Sequence, residues 1–254
     1  MANSILVTGG TGTLGRAVVR RLLDEGADVR VLSRRARPDA GPGTWATGDL
    51  RTGEGVAAAV EGVDAIVHCA TTLGRRDIDS MRNLTAAAER AGTRHLIYVS
   101  IVGVDKHPLP YYRTKLETEK ILAESGVPWT TLRATQFHDL IVKIALVQRW
   151  SPVNFTLSGT DFQPIDVRDV AERLVAITLG EPSGLVSDIG GPQVRSHQEL
   201  VRTCLAAKRM RRLVLPVRMP GAVVAGYRKG YHLAPEHPDG RITFDDFLAE
   251  LPAA

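Results

Sequence analysis

The sequence predicts an α/β protein built on a doubly wound parallel sheet, with a small C-terminal region interleaved with it. Two observations carry this. The first half alternates short apolar runs with segments whose apolar residues recur at helical spacing. That is the pattern of a parallel sheet covered on both faces by its crossover helices, and right-handed crossovers make it doubly wound. The first apolar run also passes directly into "GGTGTLG" (9–15), a glycine-dense turn between a strand and a helix.

The elements follow in order. "SILVT" (4–8) reads as a strand. "LGRAVVRRLLDEG" (14–26) sets Leu14, Val18 and Leu22 on one helical face with Val19 and Leu23 beside them, and Gly26 suits the C-terminal cap. "DVRVLSR" (28–34) is a second strand, and "TWATGDL" (44–50) a weaker third followed by a helix near 52–61. "DAIVHCAT" (64–71), "RHLIYVS" (94–100) and "WTTLRA" (129–134) continue the sheet. The helices between them fall at 79–92, ending at Gly92, and at 111–126. The second half is less regular: helices at 138–149, 168–180 and 196–207, strands at 153–156, 162–166 and 185–190. A basic stretch, 208–220, follows with no assigned element. Thr243 and Asp246 suit a capped terminal helix.

The 254 residues are 44% hydrophobic and 24% charged, ordinary for a globular chain. No Ser/Gly-rich linker and no repeat divides them. A single domain over 1–254 is expected, with 1–135 forming the sheet core and 136–254 mostly the substrate region. A net charge of +4 does not by itself imply nucleic acid, and none is expected as a partner. Cys69 and Cys204 form no CxxC and read as buried free thiols in a reducing compartment. The N-terminus lacks the charged and apolar regions of a signal peptide. The apolar runs fall short of the roughly 20 residues that span a bilayer. A cytoplasmic protein with no membrane partner is the expectation.

The glycines carry the first chemistry. Glycine inside an element costs roughly 0.5–1 kcal/mol relative to alanine, so "GGTGTLG" needs a compensating cause. In Gly9-x-x-Gly12-x-x-Gly15 the first glycine permits the tight turn, the second lets a pyrophosphate approach the backbone, and the third lets helix and strand pack closely. The free N–H groups at Thr11, Thr13 and Leu14 would then face phosphate at a helix N-terminus. The next strand end bears Ser33, Arg34 and Arg35 and no acid. A guanidinium pairs with a 2′-phosphate where a carboxylate would repel it. NADP(H) is therefore favoured over NAD(H). Arg37, beside Pro38, reads as a solvated loop residue.

Tyr111 and Lys115 lie four apart and share a helical face. The ammonium is expected to lower the tyrosine pKa, so that Tyr111 could donate a proton to a carbonyl while hydride arrives from nicotinamide. Ser100, at a neighbouring strand end, could position the substrate oxygen. Asn83 reads as a structural donor to backbone. The run from Lys208 to Arg218 holds five basic residues and no acid. Snorkelling is its default reading, with an anionic substrate or partner as the alternative.

"VTGGTGTLG" (7–15) resembles the TGxxGxxG fingerprint of the extended and atypical short-chain dehydrogenases/reductases. "GDL" (48–50), "HCATT" (68–72), "YVSIVG" (98–103), "YYRTK" (111–115), "LRATQFHD" (132–139), "PIDVRDVA" (164–171) and "GGP" (190–192) follow in the family's order. The chain is most similar to the NmrA-like subgroup. The resemblance implies a Rossmann fold with a single NAD(P)-binding domain. It implies that Asp49 and Leu50 flank adenine, that Ala70, Thr71, Thr72, Ala134 and Gln136 line the cofactor, and that Lys115 holds the nicotinamide ribose. Ser100, Tyr111 and Lys115 take the family's catalytic roles. Phe137 and His138 fall at a sheet edge suited to a substrate pocket. Departures exist: Ser100 lies only eleven residues before Tyr111, and Tyr112 adjoins it. The expected function is NADP(H)-dependent reduction of a carbonyl, quinone or related small molecule. The alternative is a non-catalytic NADP(H)-binding redox sensor.

Overall fold

The computed structural model describes residues 3–35, 43–148 and 150–251. In chain order the elements are β1 (Ser4–Thr8), α1 (Thr13–Asp24), β2 (Asp28–Ser33), β3 (Thr44–Thr47), α2 (Val56–Val60), β4 (Ala65–His68), α3 (Arg76–Arg90), β5 (His95–Ile101), α4 (Pro110–Ala123) and β6 (Trp129–Ala134). Then come α5 (His138–Val147), β7 (Val153–Leu157), β8 (Asp161–Phe162), α6 (Val167–Thr178), β9 (Gly184–Leu185), β10 (Arg195–Ser196), α7 (His197–Ala207), β11 (Leu213–Val217), α8 (Ala222–Arg228) and α9 (Phe244–Glu250).

The chain forms two compact units. The first takes residues up to Ser100, Pro110–Arg133 and Val170–Ser187; the second takes Ile101–Leu109, Ala134–Asp169 and the residues from Asp188 on. Residues 101–109 and 170–187 thus cross the simple division at 135, the latter because β9 pairs with β6 through Thr130 and Thr131.

In the first unit a parallel seven-stranded sheet, flanked by helices, runs β3-β2-β1-β4-β5-β6-β9. Its order reverses between β1 and β4, the place where open α/β sheets bind ligands. The strands are apolar runs because both faces are covered: Ile5, Leu6 and Val7 of β1 and Ile66 and Val67 of β4 have no exposed surface. Helix α1 buries Leu14, Val18, Val19 and Leu22. It closes where Gly26 takes a φ of +76°. One core cluster joins Leu6, Leu32, Val56, Leu84, Leu96, Tyr98 and Leu122.

In the second unit β7 pairs β11 in parallel and β8 pairs β10 antiparallel. Its core collects Ile141, Phe162, Leu200, Cys204, Val214 and Phe244. Capping boxes open α7 (Ser196 with Glu199) and α9 (Thr243 with Asp246), each satisfying N–H groups that a helix start leaves unpaired. The strands expected at 162–166 and 185–190 shrink to two residues each, because Ile165 and Ile189 make only isolated bridges, to Phe137 and Ala134. Three unassigned elements appear: β10, β11 and α8. β11 carries Pro216, which obscures a strand signal. Helix α8 carries Gly226, where a Cβ would lie 2.8 Å from the His107 ring.

Candidate active site

Four strand ends build the site, those of β1, β2, β4 and β5, and the turn after β1 comes first. Gly9 has a φ of +69°, and a Cβ there would lie 2.6 Å from the Ala70 nitrogen beyond β4. A Cβ on Gly15 would fall on the Gly9 carbonyl oxygen. Gly12 differs. Its φ of −78° and ψ of 175° suit any residue. Within 4 Å its Cβ would meet only the Gly9 oxygen, at 3.2 Å. Packing therefore dictates glycine at 9 and 15, while at 12 it leaves open space at the helix start. That opening fits a pyrophosphate against free backbone N–H groups. Thr11 and Gly12 are exposed, Thr13 is half-buried, and Leu14 turns its side chain into the core. Arg16, which sequence reasoning missed, donates from Nη1 to the Thr11 carbonyl at 2.8 Å and puts a cation beside the turn.

At the end of β2 the Ser33 hydroxyl accepts from the Arg35 N–H at 3.1 Å, and Arg34 and Arg35 are exposed. Arg37 lies outside the described residues. Asp49 is engaged by Arg51, whose Nη2 donates to Oδ2 at 2.7 Å and whose backbone N–H donates to Oδ1 at 2.9 Å. The Arg51 hydrogen bonds, aided by the charge of Arg34, hold the Asp49 carboxyl down at about 2. Leu50 belongs to the core. The structural role expected of Asn83 is seen directly: its Nδ2 donates to the Leu50 carbonyl at 2.8 Å and the Arg51 carbonyl at 3.2 Å.

Past β4, Thr71 and Thr72 meet α3. Asp77, 3% exposed, accepts from the Thr71 hydroxyl at 2.6 Å, the Thr72 N–H at 2.6 Å and the Thr72 hydroxyl at 2.7 Å. The Thr71 Oγ1 also lies 3.0 Å from the Tyr111 hydroxyl. Asp77 was not singled out from sequence. The available signal was an acid in the first turn of a helix after a Thr-Thr strand end. Tyr111 is half-buried, whereas the adjacent Tyr112 is 3% exposed, so Tyr111 is the accessible ring of the two.

At the end of β5, Ser100 is 3% exposed, and its Oγ has no partner among the described residues. Lys115, 5% exposed, donates from Nζ to the Val99 carbonyl at 2.8 Å and lies 4.2 Å above the Tyr98 ring. Burial brings its ammonium down to about 8. The expected lowering of the Tyr111 pKa does not occur. Burial raises the phenol above its ordinary value, Asp77 adds to this, and the Thr71 hydrogen bond opposes it. The reason is geometric: the ammonium is turned to Val99 and Tyr98, not to Tyr111. A phenol held up in this way stays protonated at neutral pH, the state a proton donor needs. Beneath the site, His68 Nδ1 lies 2.7 Å from the Thr8 hydroxyl, and its ring stacks on Tyr98 with centroids 5.5 Å apart. Burial pushes His68 down to about 3 and the Cys69 thiol up to about 12, so both stay neutral.

The remaining candidates belong to the second unit. The Ala134 carbonyl accepts from Val102 N–H at 3.1 Å and the Gln136 carbonyl from Ile165 N–H at 2.9 Å. Phe137 is half-buried. His138 does not line an open pocket. It is fully buried, its Nε2 lies 3.0 Å from the Ile242 carbonyl, and its ring packs on Phe244 and Phe247. It is a core histidine at a helix start. Among the described residues no helix is long and apolar enough to cross a membrane.

Residues 9–179 match the family model described as NAD(P)H-binding. The chain is 34% identical over 205 residues to (4-alkanoyl-5-oxo-2,5-dihydrofuran-3-yl)methyl phosphate reductase of Streptomyces griseus, covering 77% of this chain and 70% of that protein. It is 31% identical over 216 residues to the photosystem II assembly factor Ycf39 of Cyanophora paradoxa, covering 79% and 67%. The curated relatives that align over more than three quarters of this chain are spanned over 54% to 70% of their own length. Among solved structures, an NADPH-dependent quinone oxidoreductase of Escherichia coli superposes with a TM-score of 0.81 at 20% identity, covering 96% of this chain and 98% of that one, a likeness of fold. The glycine turn, the strand order and the family match agree: the chain belongs to the NAD(P)H-binding family.

Proposed function

We propose that this chain is an NADP(H)-dependent oxidoreductase that reduces a carbonyl, quinone or related small molecule. The observation that carries the reading is the grouping at the β4 and β5 ends: an accessible, protonated Tyr111 tied to Thr71, a buried Lys115, and a buried Ser100 hydroxyl with no partner. A buried polar atom without a partner costs about 1–3 kcal/mol, and a substrate oxygen would relieve that cost at Ser100. Bound cofactor would supply the hydride. Tyr111 holds the proton for the substrate oxygen, and Thr71, anchored by Asp77, fixes where the phenol sits. Arg34 and Arg35 recognise the 2′-phosphate, and the open backbone at Gly12 receives the pyrophosphate. Lys115, seated on the Val99 carbonyl, would hold the nicotinamide ribose.

A second reading is a non-catalytic NADP(H)-binding regulator. It is favoured by the Lys115 ammonium being engaged by the Val99 carbonyl and the Tyr98 ring, and by a relative named as an assembly factor. The deciding experiment is NADPH oxidation against a panel of quinones, ketones and enones. The enzyme reading expects turnover that collapses in Tyr111→Phe while NADPH affinity stays within a few fold. Turnover that survives this change removes Tyr111 from the mechanism. No turnover, together with cofactor-dependent binding of a protein partner, supports the regulator.

A further inference from the structure

Asp49 stands where the family resemblance expects adenine, yet it has no acceptor left for a base. Its Oδ1 accepts from the Arg51 backbone N–H at 2.9 Å and from Arg51 Nε at 3.2 Å. Its Oδ2 accepts from the same Nε at 3.1 Å and from Nη2 at 2.7 Å. An ionised carboxylate offers about four acceptor sites, and Arg51 fills them. The guanidinium is pinned along one edge. Its Nη1, on the other side, donates to no protein group among the described residues.

The same clamp recurs at Asp166 and Arg168, with one difference. There the Arg168 N–H and Nε donate to Asp166 Oδ1 at 2.8 and 2.9 Å, and Nη1 pairs with Glu250 at 2.7 Å. Arg168 is held by carboxylates at both ends. Arg51 is held at one, and its side chain is 34% exposed. Its plane is fixed while part of its surface stays open. The backbone beneath is fixed as well. Asn83 holds the Leu50 and Arg51 carbonyls, and Gly53, at a φ of +81°, closes the turn by donating to the Asp49 carbonyl at 2.9 Å.

The turn lies beside the end of β2. Ser33 pairs with Thr47, and the Gly48 N–H donates to the Ser33 carbonyl at 3.0 Å. Arg34 and Arg35 follow Ser33 directly, and the charge of Arg34 reaches the Asp49 carboxyl.

We propose that Arg51, held flat by Asp49, is the platform on which the cofactor's adenine stacks, with Asp49 as its positioning residue. This rests on the reading of the site as NADP(H)-binding. Adenine hangs from the ribose carbon next to the one that bears the 2′-phosphate, so a group beside Arg34 and Arg35 meets the base. A planar guanidinium stacks on such a ring. Asp49 offsets the charge of Arg51, so the pair suits a neutral ring better than a phosphate. A stacking platform serves NADPH and NADH alike, whereas a 2′-phosphate contact serves NADPH alone.

The test is fluorescence titration of NADPH and NADH into the full chain and into Arg51→Ala, Arg51→Lys and Arg34→Ala, at low and high salt. Stacking one base is worth roughly 5- to 150-fold in affinity. Arg51→Ala should weaken both cofactors within that range, by the same factor and equally at both salt concentrations. Arg51→Lys keeps the charge, loses the plane and should not restore binding. Arg34→Ala should weaken NADPH alone. Asp49→Asn should weaken both cofactors less, and adding it to Arg51→Ala should cost nothing further, because Asp49 acts through Arg51. Each variant should keep the parent's circular dichroism. Three results would overturn the proposal: Arg51→Ala binding both cofactors like the parent; a loss confined to NADPH or erased by salt, which makes Arg51 a phosphate contact; or full recovery in Arg51→Lys, which needs only the charge. An unmodified chain that binds neither cofactor refutes instead the NADP(H) reading beneath the proposal.

Discussion

Gly12→Ala separates what the fold requires from what a ligand requires. At Gly12 the backbone is already in a region open to alanine, and the new Cβ meets one protein atom, the Gly9 oxygen, at 3.2 Å. Replacing glycine at a compatible position stabilises by about 0.4–1 kcal/mol through the unfolded chain, and a small shift of the Gly9 carbonyl offsets part of that. Net stability should stay within about 1 kcal/mol of the parent. The methyl would occupy the space where a pyrophosphate meets the helix N-terminus. Losing one or two hydrogen bonds to a charged group, at about 1.5–3 kcal/mol each, weakens NADPH by roughly 10-fold to 20,000-fold. Gly9→Ala and Gly15→Ala should behave in the opposite way. The first adds a strained φ to a 2.6 Å approach to Ala70, and the second drives a Cβ into the Gly9 carbonyl. Overpacking of this kind costs about 1–3 kcal/mol, so these variants should lose stability first. The assay is urea unfolding and NADPH fluorescence titration for all three. A folded Gly12→Ala that binds NADPH like the parent would refute the assignment of this turn as a phosphate cradle.

Arg34→Ala should weaken NADPH by roughly 10- to 100-fold, one charged hydrogen bond's worth, and leave NADH nearly unchanged. Equal affinity of the unmodified chain for the two cofactors would sink that idea. Tyr111→Phe should slow the chemical step by about 10²–10⁴-fold, read from single-turnover NADPH oxidation. Asp77→Asn, which keeps an acceptor oxygen for Thr71 but removes the charge, should lower the Tyr111 pKa, because the Asp77 charge helps hold it up; ultraviolet titration of the phenol, with Tyr111→Phe as blank, checks this. The chain should also be acid-labile. Burial lowers His95, His107, His138 and His197, takes His232 to about 4 and takes His68 to about 3. The unfolded chain binds protons at these positions near pH 6.5, whereas the folded chain resists them. Stability is thus fully present above about 6.5 and falls as the pH drops toward the folded values, with His68 alone contributing on the order of 5 kcal/mol. Denaturant midpoints that stay level from neutral pH down to about 4 would contradict this.

What the sequence by itself determined is local and periodic. "SILVT" before "GGTGTLG", the apolar face of 14–23 and the caps at Gly26, Gly92 and Thr243 are set by neighbours a few residues away, and the structure has each of them. Six successive strands and the phosphate-type turn were legible for that reason. Tertiary structure alone decided which way side chains turn once the strands lie side by side. Nothing in the spacing of Tyr111 and Lys115 says that the ammonium seats on the Val99 carbonyl and the phenol on Thr71, because those partners arrive from β4 and β5. Asp77 gains its role only when β4 delivers Thr71 to the start of α3. The position of His138 after β6 predicts a pocket residue, and burial against Phe244 and Phe247, a hundred residues on, makes it core. Local periodicity fixes an element's buried face, since that face depends on the element's own residues. The partner of a polar atom depends on which distant strand packs beside it.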